Sequence, residues 1–195
     1  LYRDKKWKEA LQPLYYVFLN DPRSAARSDA AAMAATCMIR LEDLAQLFRF
    51  LPAVFRTAAR YDIGFNIALL EGGDTLAAKD RYDKALALYR LVYTKAELLA
   101  QAQARLAVVR RRKEAVDNGS YTSATPRQMK RAVEGVEAQI KEIQAYPDYD
   151  RQLVLRIASS YYELRRYQEA YLLYRDLHHR FPGSEAGDQA LYSAF

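Results

Sequence analysis

Apolar residues return at Val154, Ile157, Ala158 and Tyr161 within QLVLRIASSYYELRRY, Gln152 to Tyr167. Steps of three and four put these side chains on one face of a helix. In RYQEAYLLYRDLHHRFPGS, Arg166 to Ser184, the same spacing continues through Ala170, Tyr174 and Leu177 and closes on Pro182. The period predicts a second helix there, stopped by Pro182, with Ser184 placed to cap another. This pattern recurs. Laid without gaps, the stretch from Tyr167 falls on WKEALQPLYYVFLNDPRSAARSDA from Trp7: Ala170 on Ala10, Pro182 on Pro22, Ser184 on Ser24, Ala190 on Ala30. RYDKALALYRLV from Arg81 places Tyr82, Ala85, Tyr89 and Arg90 on Tyr167, Ala170, Tyr174 and Arg175. Three related segments predict a repeat architecture. The small Ala10, Ala85 and Ala170 let two helices approach closely, and Leu14, Tyr89 and Tyr174, four residues on, share their face.

The run Val154, Ile157, Ala158, Tyr161, Ala170, Tyr174, Leu177, Pro182 resembles the tetratricopeptide repeat, a helix–turn–helix of about 34 residues. Residues 151–182 carry the resemblance most fully. Residues 66–92 carry it on the second helix, with Gly72, Gly73 and Leu76 on the first, and residues 1–22 carry it as a second helix only. The resemblance implies an all-α fold, a tetratricopeptide-like α-solenoid, and binding of a protein or peptide partner rather than catalysis. It also implies a concave groove lined by Gln152, Leu155, Ser159 and Tyr162, with Leu70 and Asp74 in the earlier repeat. The family's carboxylate clamp needs Lys and Asn where Leu155 and Ser159 stand. Capture of a terminal carboxylate is therefore not expected, and an apolar or aromatic contact is. The ending FPGSEAGDQALYSAF is similar to repeat proteins of the bacterial envelope, such as those assisting outer-membrane assembly or the Tol–Pal system, which implies a periplasmic or envelope setting. The incomplete first repeat and a helix expected to begin at Glu185 suggest a segment of a longer array.

Two stretches depart from the pattern. Pro13 falls inside the first expected helix, where it removes a hydrogen bond and is expected to kink it. Residues 28–60 are degenerate: helices are expected from Ser28 to Ile39 and from Glu42 to Phe50, with Pro52 opening a third.

Past Val92 the period breaks. No Gly or Pro interrupts the chain until Asn118-Gly119, so one helix is expected from Tyr82 to Asp117. Thr125-Pro126-x-Gln128 reads as a cap, a first-turn proline and a capping-box partner. Met129, Val133, Val136, Ile140 and Ile143 then form a seam of the coiled-coil kind, with Leu99, Leu106 and Val109 offering a facing stripe. Residues 93–146 are expected to be a long antiparallel helical hairpin inserted between repeats 1–92 and 147–195. Self-association through its seam is the alternative to a binding scaffold.

Charge concentrates in this hairpin. Between Arg105 and Arg131 stand eight basic residues (Arg105, Arg110, Arg111, Arg112, Lys113, Arg127, Lys130, Arg131) against two acidic ones, a net of +6. The whole chain of 195 residues holds 30 basic against 24 acidic side chains, also +6, so the remainder sums to zero. Antiparallel pairing would gather both clusters near one tip, suited to docking an acidic protein, lipid headgroups or nucleic acid. Nucleic acid is the least suited, since only Tyr121 could stack on a base.

Elsewhere the chain offers little chemistry. His178 and His179 are the two histidines, and neighbours about 100° apart on a helix do not share a metal. Both are expected in a last turn, where a cation complements the helix dipole. The single Cys37, in AAMAATCMIRL, is expected as a buried thiol. Gly72-Gly73 lacks the Lys-Ser/Thr of a phosphate loop and is expected to serve close helix packing. Of the 16 tyrosines, Tyr82, Tyr89, Tyr161, Tyr167 and Tyr174 fall on packing positions. No cofactor is expected, and no apolar run approaches the roughly 20 residues of a membrane span.

Overall fold

The computed structural model describes residues 1–20, 26–121 and 123–181. Pro22, Ser24, Pro182, Ser184, Ala190 and the helix expected from Glu185 lie outside the described residues. Among the described residues there is no strand, and the class is all-α. The helices are α1 (Trp7–Asn20), α2 (Ala26–Arg40), α3 (Leu44–Val54), α4 (Ile63–Ala77), α5 (Tyr82–Tyr89), α6 (Lys95–Asp117), α7 (Pro126–Ala145), α8 (Asp150–Glu163) and α9 (Tyr167–Arg180). A 3₁₀ turn, Ala58–Tyr61, precedes α4.

One turn is used four times. Lys5, Glu42, Asp80 and Arg165 adopt left-handed φ of 59°, 55°, 55° and 59°. In each case the amide of that residue donates to the carbonyl three back (Tyr2, Ile39, Ala77, Tyr162) at 2.9–3.0 Å. The following amide donates to the carbonyl five back (Leu1, Met38, Leu76, Tyr161), also at 2.9–3.0 Å. This is the Schellman pattern, which satisfies the orphan carbonyls ending a helix. A new helix begins two residues after each left-handed residue, at Trp7, Leu44, Tyr82 and Tyr167. Five residues after it stands a buried side chain: Ala10, Leu47, Ala85 and Ala170. The copy at Glu42 escaped the sequence alignment because Leu47 replaces the alanine.

The chain divides into two compact units, residues 1–92 with 150 onward, and Tyr93–Tyr149. In the first unit α1 packs on α2, α2 on α3 and α4, α4 on α5, α5 on α8, and α8 on α9. Cys37, Met38, Leu47, Phe65, Leu69 and Leu88 are buried in it. Asp62 caps α4 by accepting from the Phe65 amide at 2.7 Å, and buried Asn66 closes the preceding turn by donating to the Arg60 and Asp62 carbonyls at 3.0 and 2.8 Å. A Cβ added at Gly73 would overlap the Tyr89 ring, 2.6 Å from Cδ1 and 2.8 Å from Cζ, and one at Gly72 would overlap Ile39. Both glycines set how closely α4 meets its neighbours.

Three expected boundaries are corrected. Tyr82–Asp117 is two helices, because Thr94 accepts from the Glu97 amide at 3.1 Å while Glu97 accepts from the Thr94 amide at 2.8 Å, a capping box that starts a new helix. Pro52 opens no helix; it lies in the last turn of α3, which runs to Val54. The helix following residues 28–60 starts instead from the caps Thr57 and Asp62. Pro13 lies inside α1, which continues to Asn20.

In the second unit α6 and α7 run antiparallel. Leu98, Ala102 and Val116 are buried with Met129, Val136 and Ile143. Leu98 therefore occupies the centre of the facing stripe, and the expected Leu99 is displaced to its edge. Thr125 and Gln128 form the expected capping box, with Pro126 in the first turn. Gly119, at φ 77°, takes the left-handed stop after Asn118.

Candidate functional site

Asp74, Gln152, Leu155 and Ser159 line one recess of about 510 Å³ in the first unit. The recess is bordered by α4, α5 and α8 and is completed by Ala77, Tyr82, Tyr89, Arg156 and Ser160. Its polar centre is a network. The Arg156 guanidinium grips the Asp74 carboxylate through Nε and, at 2.9 Å, through Nη2. The Tyr89 hydroxyl donates to Asp74 Oδ1 at 2.8 Å, and Arg156 Nη1 donates to Gln152 Oε1 at 3.2 Å. Burial first, and then the Asp74 carboxylate that accepts its proton, push the Tyr89 phenol well above its ordinary value, so it stays a donor. A fork-on-carboxylate pair of this kind is directional as well as attractive. Both partners remain partly exposed, 40% for Asp74 and 31% for Arg156. Ser159 Oγ also shares a hydrogen bond of 3.2 Å with the hydroxyl of Tyr174, which is not among the recess residues.

Two groove candidates stand elsewhere. Leu70, 6% exposed, is part of the α4 core and presents no groove surface; its position in the α4 pattern is the buried side of the helix, one turn before Asp74. Tyr162 is exposed, but its ring packs edge-on against Tyr167 at 5.3 Å and is not among the recess residues. Tyr167 is itself 55% exposed, a correction to its expected packing role, because as the first residue of α9 it lies ahead of the first buried turn. Tyr89 and Tyr174 are buried as expected, while Tyr82 and Tyr161 are half-buried. Arg156 was missed as a site residue. Its only signal was a cation four residues after Gln152, one helical turn on along the same face.

The basic cluster of the hairpin is partly neutralised. Arg110 Nη2 meets Glu137 Oε1 at 2.7 Å, Lys113 is tied to Asp117, and Lys130 lies 3.9 Å from Glu134. Arg105, Arg111, Arg112, Arg127 and Arg131 are exposed and form no ion pair among the described residues. Arg110 through Lys113 gain nothing from the C-terminal end of the helix dipole, because the last turn of α6 contains no basic residue. That stabilisation fades within a turn. The seam residues Met129, Val136 and Ile143 are buried inside the hairpin, while Val133 and Ile140 are half-buried.

His178 and His179 have ring centroids 6.0 Å apart in the last turn of α9. Among the described residues no group of His, Cys, Asp and Glu is arranged to hold a metal ion, and no helix is long and apolar enough to cross a membrane. Cys37 is fully buried, and burial pushes its thiol up to about 11. No protein-family model, no curated protein and no solved structure matches this chain.

Proposed function

We propose that this chain is a non-enzymatic protein-interaction module, a tetratricopeptide-like α-solenoid that holds an extended partner segment in the recess bordered by α4, α5 and α8. The observation that carries this reading is the convergence of Asp74 from α4 with Gln152, Leu155 and Ser159 from α8 on one open recess, although Asp74 and Gln152 stand 78 positions apart in the sequence. The fourfold turn, with a buried small or apolar residue five positions on, supports a repeat origin for the scaffold.

The chemistry of the recess sets what it suits. Asp74 is already matched by Arg156 and Tyr89. No charge is left over there to take a terminal carboxylate. What it offers is the half-buried faces of Tyr82 and Leu155 beside Ala77, with Gln152 and Ser159 at the rim. An uncharged segment carrying one apolar side chain fits that lining, with polar rim groups fixing its direction.

Selection of a random peptide library on the folded chain tests this. Selected peptides are expected to weaken by at least about tenfold, or 1.4 kcal/mol, against Leu155→Arg and Ser159→Arg, with the helical signal unchanged. Peptides that bind both folded variants as tightly as the parent chain would place the binding surface elsewhere and defeat the groove reading.

A further inference from the structure

The five unpaired arginines of the hairpin do not share a face. Around α6, Leu98, Ala102 and Val116 turn toward α7. At about 100° per residue, Arg111 points the opposite way, while Arg105 and Arg112, seven and fourteen residues after Leu98, lie exposed at the margin of the buried stripe. Around α7, Met129, Val136 and Ile143 turn toward α6. Arg127 and Arg131, four residues apart, point away from it. Cations thus surround the hairpin on several sides.

They also differ in depth. At 1.5 Å per residue, Arg111 and Arg112 lie about 9 and 7.5 Å back from the end of α6 at Asp117. Arg127 and Arg131 lie about 1.5 and 7.5 Å from the start of α7 at Pro126. Arg105 lies about 18 Å back. Four unpaired arginines therefore cluster within roughly 9 Å of the helix ends that carry the apex loop, and the fifth stands outside that zone. From Arg111 to Arg131 there are six basic residues against two acidic ones, and Asp117 is tied to Lys113. Beside the apex Tyr121 is 41% exposed. The first turn of α7 holds no acid, so Arg127 faces the positive end of the helix dipole without relief.

We propose that the apex of this hairpin docks on an anionic lipid surface, entering the headgroup layer end-on. A protein or duplex partner presents one face and would engage one side of the hairpin. A headgroup layer closes around the apex and meets Arg111, Arg112, Arg127 and Arg131 together. The polar layer on each side of a bilayer is roughly 5–8 Å thick, a range that takes in the helix-end depths of Arg112, Arg127 and Arg131 and brings Arg111 to its edge, and screening at physiological salt sets in at about 8 Å. Guanidinium forks match lipid phosphates in pairs of hydrogen bonds, and a tyrosine ring with a wet hydroxyl suits the interface.

Co-sedimentation of the full chain with vesicles tests the proposal. Vesicles of equal parts phosphatidylglycerol and phosphatidylcholine are expected to capture it, and phosphatidylcholine alone is not. Capture should be released at about 1 M salt, where screening shortens to about 3 Å. Joint replacement Arg111→Gln, Arg127→Gln and Arg131→Gln should weaken capture roughly hundredfold, on about a fivefold loss per cation near the surface. The corresponding lysine triple variant should retain it within about tenfold, which excludes a folding defect as the cause. Arg105→Gln, outside the layer, should change it by less than about twofold. Equal capture by both lipid compositions, loss with Arg105→Gln as large as with Arg131→Gln, or tighter binding to duplex DNA than to the anionic vesicles at the same salt would each overturn end-on docking to lipid.

Discussion

Arg165 is held at a left-handed φ of 59° in a turn where glycine is the usual occupant. A side chain in that region costs roughly 1–2 kcal/mol. Lys5, Glu42 and Asp80 sit in the same conformation, but Glu42 is tied to Lys79 and Asp80 accepts from the Tyr82 hydroxyl at 3.0 Å. Arg165 is exposed and forms no such bond among the described residues. Arg165→Gly is therefore expected to stabilise the chain by about 0.5–1 kcal/mol, after the extra freedom of the unfolded glycine is counted. Chemical denaturation measures it, and an unchanged or lower midpoint would remove the strain argument. Cys37 makes a different test. Burial raises its thiol from 9.0 to about 11, so the folded chain holds the neutral form. That contribution is complete below the free thiol's value of 9.0 and is lost as pH rises through about 11. Stability measured across that window should fall less steeply in Cys37→Ala than in the parent chain. Parallel curves would mean that the tyrosines carry the alkaline loss.

At the scale of elements, legibility followed the strength of the local signal. Thr125-Pro126-x-Gln128 and Asn118-Gly119 were readable because capping chemistry is written in adjacent residues. Thr94-x-x-Glu97 is the same signal, but a run free of Gly and Pro masked it, and two helices read as one. Pro52 misled in the opposite direction: a proline near a helix end reads equally as a start or as a late interior residue until the caps at Thr57 and Asp62 decide. Asp74 could be placed on a groove only through the resemblance to the tetratricopeptide repeat, but its partners Tyr89 and Arg156 come from other helices, and no local pattern announces a tertiary pairing. The glycines give a paired prediction. Gly73→Ala pushes a methyl into the Tyr89 ring against α5 and should cost about 1–3 kcal/mol. Gly135→Ala meets nothing within 4 Å on the exposed side of α7 and should gain about 0.5–1 kcal/mol from helix propensity alone. Thermal melts of the two variants should move in opposite directions. A Gly73→Ala variant as stable as the parent would mean that α4 and α5 are not packed this closely.

At the scale of the whole molecule, the hairpin's two ends meet. The hydroxyl of buried Tyr149 donates to the Tyr93 carbonyl at 2.8 Å, and the Lys95 amine donates to the carbonyls of Gln144, at 3.0 Å, and Tyr146. A segment whose ends adjoin can be exchanged for a short connection without stretching what it joins. Replacing residues 95–147 by a Gly/Ser linker of about four residues should therefore leave residues 1–92 and 150 onward folded as one cooperative unit. The scale of each activity then becomes separable. The shortened chain should bind groove-selected peptides within about threefold of the parent, a difference of less than 1.4 kcal/mol, because Asp74, Gln152, Leu155 and Ser159 belong to the retained unit. It should also lose capture by anionic vesicles, because Arg111, Arg112, Arg127 and Arg131 leave with the hairpin. Circular dichroism and a melting curve report the first expectation, peptide titration the second and co-sedimentation the third. A shortened chain that fails to fold would show that the hairpin completes the core of the rest and would end the division into two units. Vesicle capture that survives the deletion in a folded chain would locate the lipid surface on the retained helices instead.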